Sequence, residues 1–236
     1  MRGTVVVMLE VVHIQKKRGK KQVLNDISFR VNCGECVAIV GRNGCGKSTL
    51  LQIMAGVLKP DQGEIRYFGK DARKDRKVVR EYCGYVPQEN PLMEELTVKD
   101  NLRLWAGTSR EIERNVIEQF QLDELMKEQV SKLSGGMKRR LGIACAMLRW
   151  PPILLMDEPT TALDIYYKDS VWQWIQQYRE KNGMVVMTTH DEREIMGADR
   201  CLIMQDGVLT ELEKNEITME NIRQMIDRLN EKGGNR

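Results

Sequence analysis

Aromatic side chains are scarce in this chain, with three Phe, four Trp and six Tyr among 236 residues, and histidine is scarcer still, with two. With so few, a histidine placed directly after an apolar strand carries weight as a functional group rather than a core residue. Long apolar runs are missing as well. No stretch reaches the roughly 18 residues of a membrane-spanning helix, and the N-terminal "MRGTVVVMLEVV" is interrupted by Glu10 with no small-residue cleavage pattern after it, so it reads as a first strand and not as a signal peptide. Nor is there an excess of charge of one sign. The 37 basic and 34 acidic residues leave +3 in an interspersed pattern, which excludes a whole-molecule field aimed at nucleic acid or a membrane surface. The chain is expected to be soluble and to stay where it was made. A second CxxC is absent, so "CGEC", Cys33 to Cys36, reads as a turn before a strand and not as a metal or redox site. The six cysteines lie mostly in apolar runs, which suits a reducing cytosol.

What is present is a hydrophobic fraction of 42%, ample for a sizeable core. Residues 4–14 and 22–31 alternate toward strands and 36–40 form a short buried-type run. Between the first two lies "KKRGKK", Lys16 to Lys21, which reads as a solvated hairpin tip. A helix is expected from the glycine-rich loop at 41–46 through Leu58, stopped by Pro60. From about 97 to 149 the pattern is helical, with capping-box signals at Thr97 and Asp100 and at Thr108 and Glu111. "ILLMDEP" and "GMVVMTTHD" then read as buried parallel strands separated by a helix over about 165–181. In the tail, Met219, Ile222, Met225, Ile226 and Leu229 fall at helical spacing, which fits a packed or dimer-lining helix.

The chemistry is concentrated in "GRNGCGKST", that is Gly41, Arg42, Asn43, Gly44, Cys45, Gly46, Lys47, Ser48 and Thr49. G-x-x-x-x-G-K-[ST] after a strand and before a helix is a phosphate cradle: glycines turn backbone N–H groups inward, the lysine reaches the β/γ-phosphates and the Ser48 hydroxyl meets Mg2+. "ILLMDEP" delivers Asp157 and Glu158 to the end of a strand, where open α/β sheets bind ligands. Because strand neighbours point apart, Asp157 is expected to hold magnesium and Glu158 to polarise the attacking water. Cys45, among inward N–H groups and two residues from Lys47, is expected to be a reactive thiolate, the alternative being a thiol turned into the core behind the loop. The other five cysteines are expected to be buried and inert.

With these motifs and "LSGGM" at Leu133 to Met137, the chain resembles, over nearly its whole length, the nucleotide-binding subunit of ATP-binding cassette (ABC) transporters, multidrug-exporter-like and bacterial. The resemblance implies that Ser134, Gly135 and Gly136 face the ATP held by a second copy, that Gln88 in "GYVPQEN" senses magnesium and water, that Asp164 in "TALD" lies on a loop crossing the dimer interface, and that His190 in "MTTHD" contacts the γ-phosphate. Three departures stand out. Arg18 occupies the usual place of an aromatic that stacks on adenine, and its guanidinium plane can serve instead; Met137 replaces the usual glutamine, and Cys45 a small residue.

The implied fold is α/β: a P-loop NTPase core with a mostly parallel sheet over 1–88 and 151–212, an N-terminal antiparallel β region, an inserted helical subdomain over 89–150, and a helical tail over 213–236. The implied protein is a cytoplasmic ATPase, peripheral on the inner face of the membrane, using ATP and Mg2+, paired with a second copy or a homologous subunit and with a membrane-spanning permease. No nucleic acid partner is expected. "PLMEELTVKDNL" after Gln88 leans toward export. The alternatives are a soluble ABC ATPase acting on ribosomes or nucleic acid, against which the lack of a fused second cassette speaks, and a regulator that barely hydrolyses ATP, against which Glu158 and His190 speak.

Overall fold

The computed structural model describes residues 7–107, 114–161, 163–212 and 214–225. The chain runs β1 (Val7–Arg18), β2 (Lys21–Asn32), β3 (Cys36–Val40), α1 (Lys47–Met54), β4 (Gln62–Tyr67), β5 (Lys70–Asp71), α2 (Arg76–Tyr82) and β6 (Cys83–Val86). It continues through α3 (Val98–Ala106), α4 (Arg114–Gln119), α5 (Gly135–Met147), β7 (Ile153–Asp157), α6 (Ile165–Glu180), β8 (Met184–Thr188), α7 (Glu192–Gly197), β9 (Arg200–Gln205) and β10 (Val208–Leu212). Two sheets result. An antiparallel sheet has the order β2-β1-β4-β5, and a six-stranded sheet has the order β10-β9-β3-β8-β7-β6, parallel throughout except for the antiparallel β10–β9 pair.

The parallel strands are buried on both faces, and the two-residue side-chain period divides them between two cores. Val37, Ile39, Leu155 and Val186 pack with α1 and the antiparallel sheet. Ala38, Leu154, Met156, Val185 and Met187 point the other way, onto α5, α6 and the helices of 89–150. On that side Trp174 and Tyr178 of α6 stack with ring centroids 5.5 Å apart, and Phe120 meets Trp174 at 5.1 Å. A third cluster joins Ile195, Cys201, Ile203 and Leu212 to Ile217 and Ile222, so the described part of the tail packs on its own chain. Ile226 and Leu229 lie outside the described residues, as do Thr108 and Glu111.

Three local expectations differ from the structure. The first hairpin is longer, because β1 continues through Lys16, Lys17 and Arg18 and turns over Gly19 and Lys20 alone; Gly19 has φ 60°, and the charged residues sit on the strand rather than in the tip. Helix α1 ends at Met54, four residues before Leu58, since the chain turns at Gly56 with φ 69° well ahead of Pro60. At α3 the Thr97 hydroxyl accepts from the Asp100 N–H (3.1 Å) as a cap, but the Asp100 carboxylate bonds the Thr97 hydroxyl (2.6 Å), so the acid supports the capping group itself.

Candidate functional site

Four adjacent parallel strands, β3, β8, β7 and β6, deliver their C-terminal ends to one edge of the sheet, and each carries a residue singled out by sequence. The loop after β3 leads into α1, whose N-cap Gly46 has no side chain to occupy the first helical N–H groups, so these point outward as anion donors. Gly46 has φ 117°, a conformation few other residues adopt, and a Cβ on Gly41 would lie 2.2 Å from the Met204 carbonyl oxygen; both positions require glycine. A cleft of about 510 Å³ opens over this loop, lined by Asn43, Gly44, Gly46, Lys47, Ser48 and Thr49 and closed by Gln88, Glu158 and His190. Its volume is that of a small-ligand site. The end of β1 and the start of β2 add Arg18, Lys21 and Val23.

Lys47 is 5% exposed, and its ammonium donates to the carbonyls of Gly41 (2.7 Å) and Arg42 (3.3 Å) and to Nε2 of His190 (3.2 Å). Because a lysine ammonium only donates, His190 accepts through Nε2 and carries its proton on Nδ1. Burial first, and the Lys47 charge second, hold the His190 pKa below its ordinary value, with Glu158 opposing; the Glu158 carboxylate lies 3.5 Å away. The buried Asp157 accepts from the hydroxyls of Ser48 (3.2 Å) and Thr188 (2.6 Å).

Glu158 follows with φ 49°. Its N–H is shared between the carbonyl and the hydroxyl of Thr188, at 3.0 and 3.1 Å, so one threonine, placed opposite Asp157 by the β7–β8 register, orients both acids. The Glu158 carboxylate accepts from the Gln88 amide (3.3 Å) and the Thr161 hydroxyl (3.1 Å).

The donor set suits a hard divalent cation bound together with phosphate. One hydroxyl and one carboxylate converge, and among the described residues no cluster of three or more His, Cys, Asp or Glu forms an all-protein metal cage. Magnesium is commonly held this way, by one or two protein oxygens with phosphate oxygens and water completing its shell.

Several expected residues fall elsewhere. Cys45 is turned away: its sulfur packs behind the loop with the core and lines a separate cleft with Arg42, Met204 and Asp206. Burial raises its pKa and outweighs Lys47, so the expected thiolate is corrected to a protonated, recessed thiol. Cys33, expected to be buried, is the exposed cysteine. Gly41 and Arg42 shape the loop and hold Lys47 through their carbonyls without lining the cleft. Ser134 and Gly135 are exposed at the start of α5, outside the cleft lining, with Ser134 capping the helix by accepting from the Met137 N–H (3.3 Å). Gly136 is half-buried beside the Tyr167 ring. Asp164 is exposed and caps α6 through the Tyr167 N–H (3.1 Å).

Sequence reasoning gave no site role to Thr188, Lys21 or Arg139, and placed Thr161 only at the start of the "TALD" loop, without its bond to Glu158. Thr188 shows itself only through strand register. Arg139, in the basic run "MKRR", carries no sequence signal that separates it from a solvated helix face.

The family described as ABC transporter matches residues 24–161. The chain belongs to that family. Among curated relatives, the Nod factor export ATP-binding protein I of Rhizobium etli is 36% identical over 203 residues, covering 82% of this chain and 64% of that protein, so the chain spans just under two thirds of the relative's length. Among solved structures, an ATP-binding subunit of an ABC transporter superposes with a TM-score of 0.80 at 28% identity, covering 93% of each chain. An ATP-binding cassette solved as a dimer in a post-hydrolysis state bound to ADP and Pi does so with the same score and identity, covering 88% of this chain and 99% of that one. The chain's fold therefore has solved counterparts, and no described helix of this ABC chain is long and apolar enough to cross a membrane.

Proposed function

We propose that this chain is the ATP-hydrolysing subunit of an ABC exporter, dimerising around two Mg-ATP and driving a separate membrane permease from the cytoplasmic face. The observation that carries the reading is the convergence in one cleft of Lys47, the Ser48–Asp157 pair and the Gln88–Glu158–His190 group. Export follows the relative, whose own name is that of an export protein. Residues 1–88 and 151–212 form the nucleotide core in this reading, 89–150 the helical subdomain and 213–236 the tail.

The position of each residue supports a role in this reading. The N–H groups of the loop and α1, with Lys47, bind the phosphates. Ser48 and Asp157 hold magnesium, which when bound supplies charge neutralisation at the β- and γ-oxygens. Glu158, fixed by Thr188, accepts the proton of the attacking water, and Gln88 holds that carboxylate in place. His190 stays neutral and keeps Lys47 on the phosphate side of the loop. Arg18 offers its guanidinium plane to the base. Ser134, Gly135, Gly136 and Asp164, free of their own cleft, meet the nucleotide and the interface of a second copy.

The test is Glu158→Gln. Removal of the base should slow Mg-ATP hydrolysis by about 10²- to 10⁴-fold and leave nucleotide affinity nearly unchanged, measured by steady-state phosphate release and by equilibrium binding of a fluorescent ATP analogue. Wild-type turnover by the variant would remove Glu158 from its role.

A further inference from the structure

Helix α5 buries an arginine behind the cleft, outside its lining. Arg139 is 4% exposed, and its guanidinium donates to backbone carbonyl oxygens. Nε donates to Pro159 (2.8 Å), one terminal nitrogen to Pro87 (2.5 Å) and Gln88 (3.3 Å), and the other to Asp157 (2.8 Å) and Glu158 (2.9 Å). A guanidinium has five N–H donors in a fixed plane, and here five carbonyls meet them. These carbonyls belong to two segments far apart in sequence, 87–88 and 157–159, which carry the amide and the carboxylate that meet at 3.3 Å in the cleft.

We propose that Arg139 is the positioning residue that fixes Gln88 against Glu158. The assignment rests on the ATPase reading above. Its chemistry has a particular merit. The cation compensates the charge of Asp157, Glu158 and Glu194 through space, and these carboxylates favour its charged form against burial. Because its hydrogen bonds go to main-chain oxygens, the carboxylate oxygens of Asp157 and Glu158 stay available to metal and water. An arginine paired directly with either acid would compete with both. A lysine cannot replace it, since three donors on a compact ammonium cannot span five carbonyls on two segments.

Arg139→Lys should therefore lower kcat about 10- to 100-fold, the loss that goes with a misplacement on the order of 1 Å, with the KM for Mg-ATP changed less than about 3-fold because the phosphate loop is untouched. The adjacent Arg140→Lys is the control. Arg140 is buried in the same helix but donates to the Phe120 carbonyl and the Gln121 side chain and lies over the Tyr167 ring, away from the cleft; it should keep kcat within about 3-fold. Wild-type kcat in a folded Arg139→Lys protein, or equal kcat losses in the two variants, would overturn the proposal. A wild-type protein without ATPase activity would instead overturn the underlying reading. Should Arg139→Lys fail to fold, the wild-type chain supplies a second measurement: the Arg139 Nε–H should exchange with solvent slowly in nitrogen-detected NMR, and exchange as fast as that of surface arginines would overturn the clamp.

Discussion

Lys47 and His190 share one hydrogen bond, and that bond makes the site sensitive to pH. Protonated His190 could no longer accept from an ammonium, and its folded-state pKa is already held below 6.5 by burial and by Lys47. As pH falls the unfolded chain therefore takes up the proton before the folded one, so the stability His190 contributes is fully present above about 6.5 and is lost as pH falls through the lowered folded value. Urea unfolding of wild type and His190→Gln at pH 7.5 and 5.5 reads this directly: the stability of wild type relative to the variant should decline at the lower pH, and a constant or growing margin would contradict it. Thiol chemistry offers a second residue-scale check. Cys33 is exposed in the turn before β3, whereas Cys45 is recessed and its thiol is pushed up by burial. Iodoacetamide should label Cys33 first without loss of ATPase activity, as peptide mapping would show; first labelling of Cys45 with protection by Mg-ATP would restore the thiolate reading.

Among the elements, α6 ties the helical side of the molecule to the sheet, and its aromatic pair carries the contact. Among the described residues the buried Trp174 indole N–H meets no hydrogen-bond acceptor, so Trp174→Phe gives up some volume but no such bond, whereas Trp174→Ala leaves a cavity between α6 and Phe120. Thermal or urea unfolding should show a loss of about 3–5 kcal/mol for Ala and a clearly smaller loss for Phe; equal losses would mean that ring packing is not what holds α6. The elements also show what the sequence makes legible. β3, β7 and β8 read correctly because strands buried on both faces are short unbroken apolar runs, and the phosphate loop because glycine, lysine and serine stand at a spacing with one purpose. The extension of β1 through Lys16 and Lys17 was hidden, since charged residues on an exposed strand look like a turn. Thr188 and Arg139 were hidden for a different reason: their importance lies in carbonyls and carboxylates brought to them by register and by helix packing, contacts absent from local sequence.

At the scale of the molecule, the glycine-rich loop, the Ser48–Asp157 pair and Glu158 meet on one chain, while Ser134, Gly135 and Asp164 are exposed elsewhere on it. In the proposed function, a cassette so arranged completes its site when a second copy brings those residues to the nucleotide, and hydrolysis then reopens the pair. Blocking hydrolysis without blocking binding should trap the closed state. The direct measurement is light scattering of the Glu158→Gln protein after size exclusion, with saturating Mg-ATP and with Mg-ADP. The account predicts a stable dimer with ATP and a monomer with ADP; a Glu158→Gln protein that binds ATP and remains monomeric would contradict it.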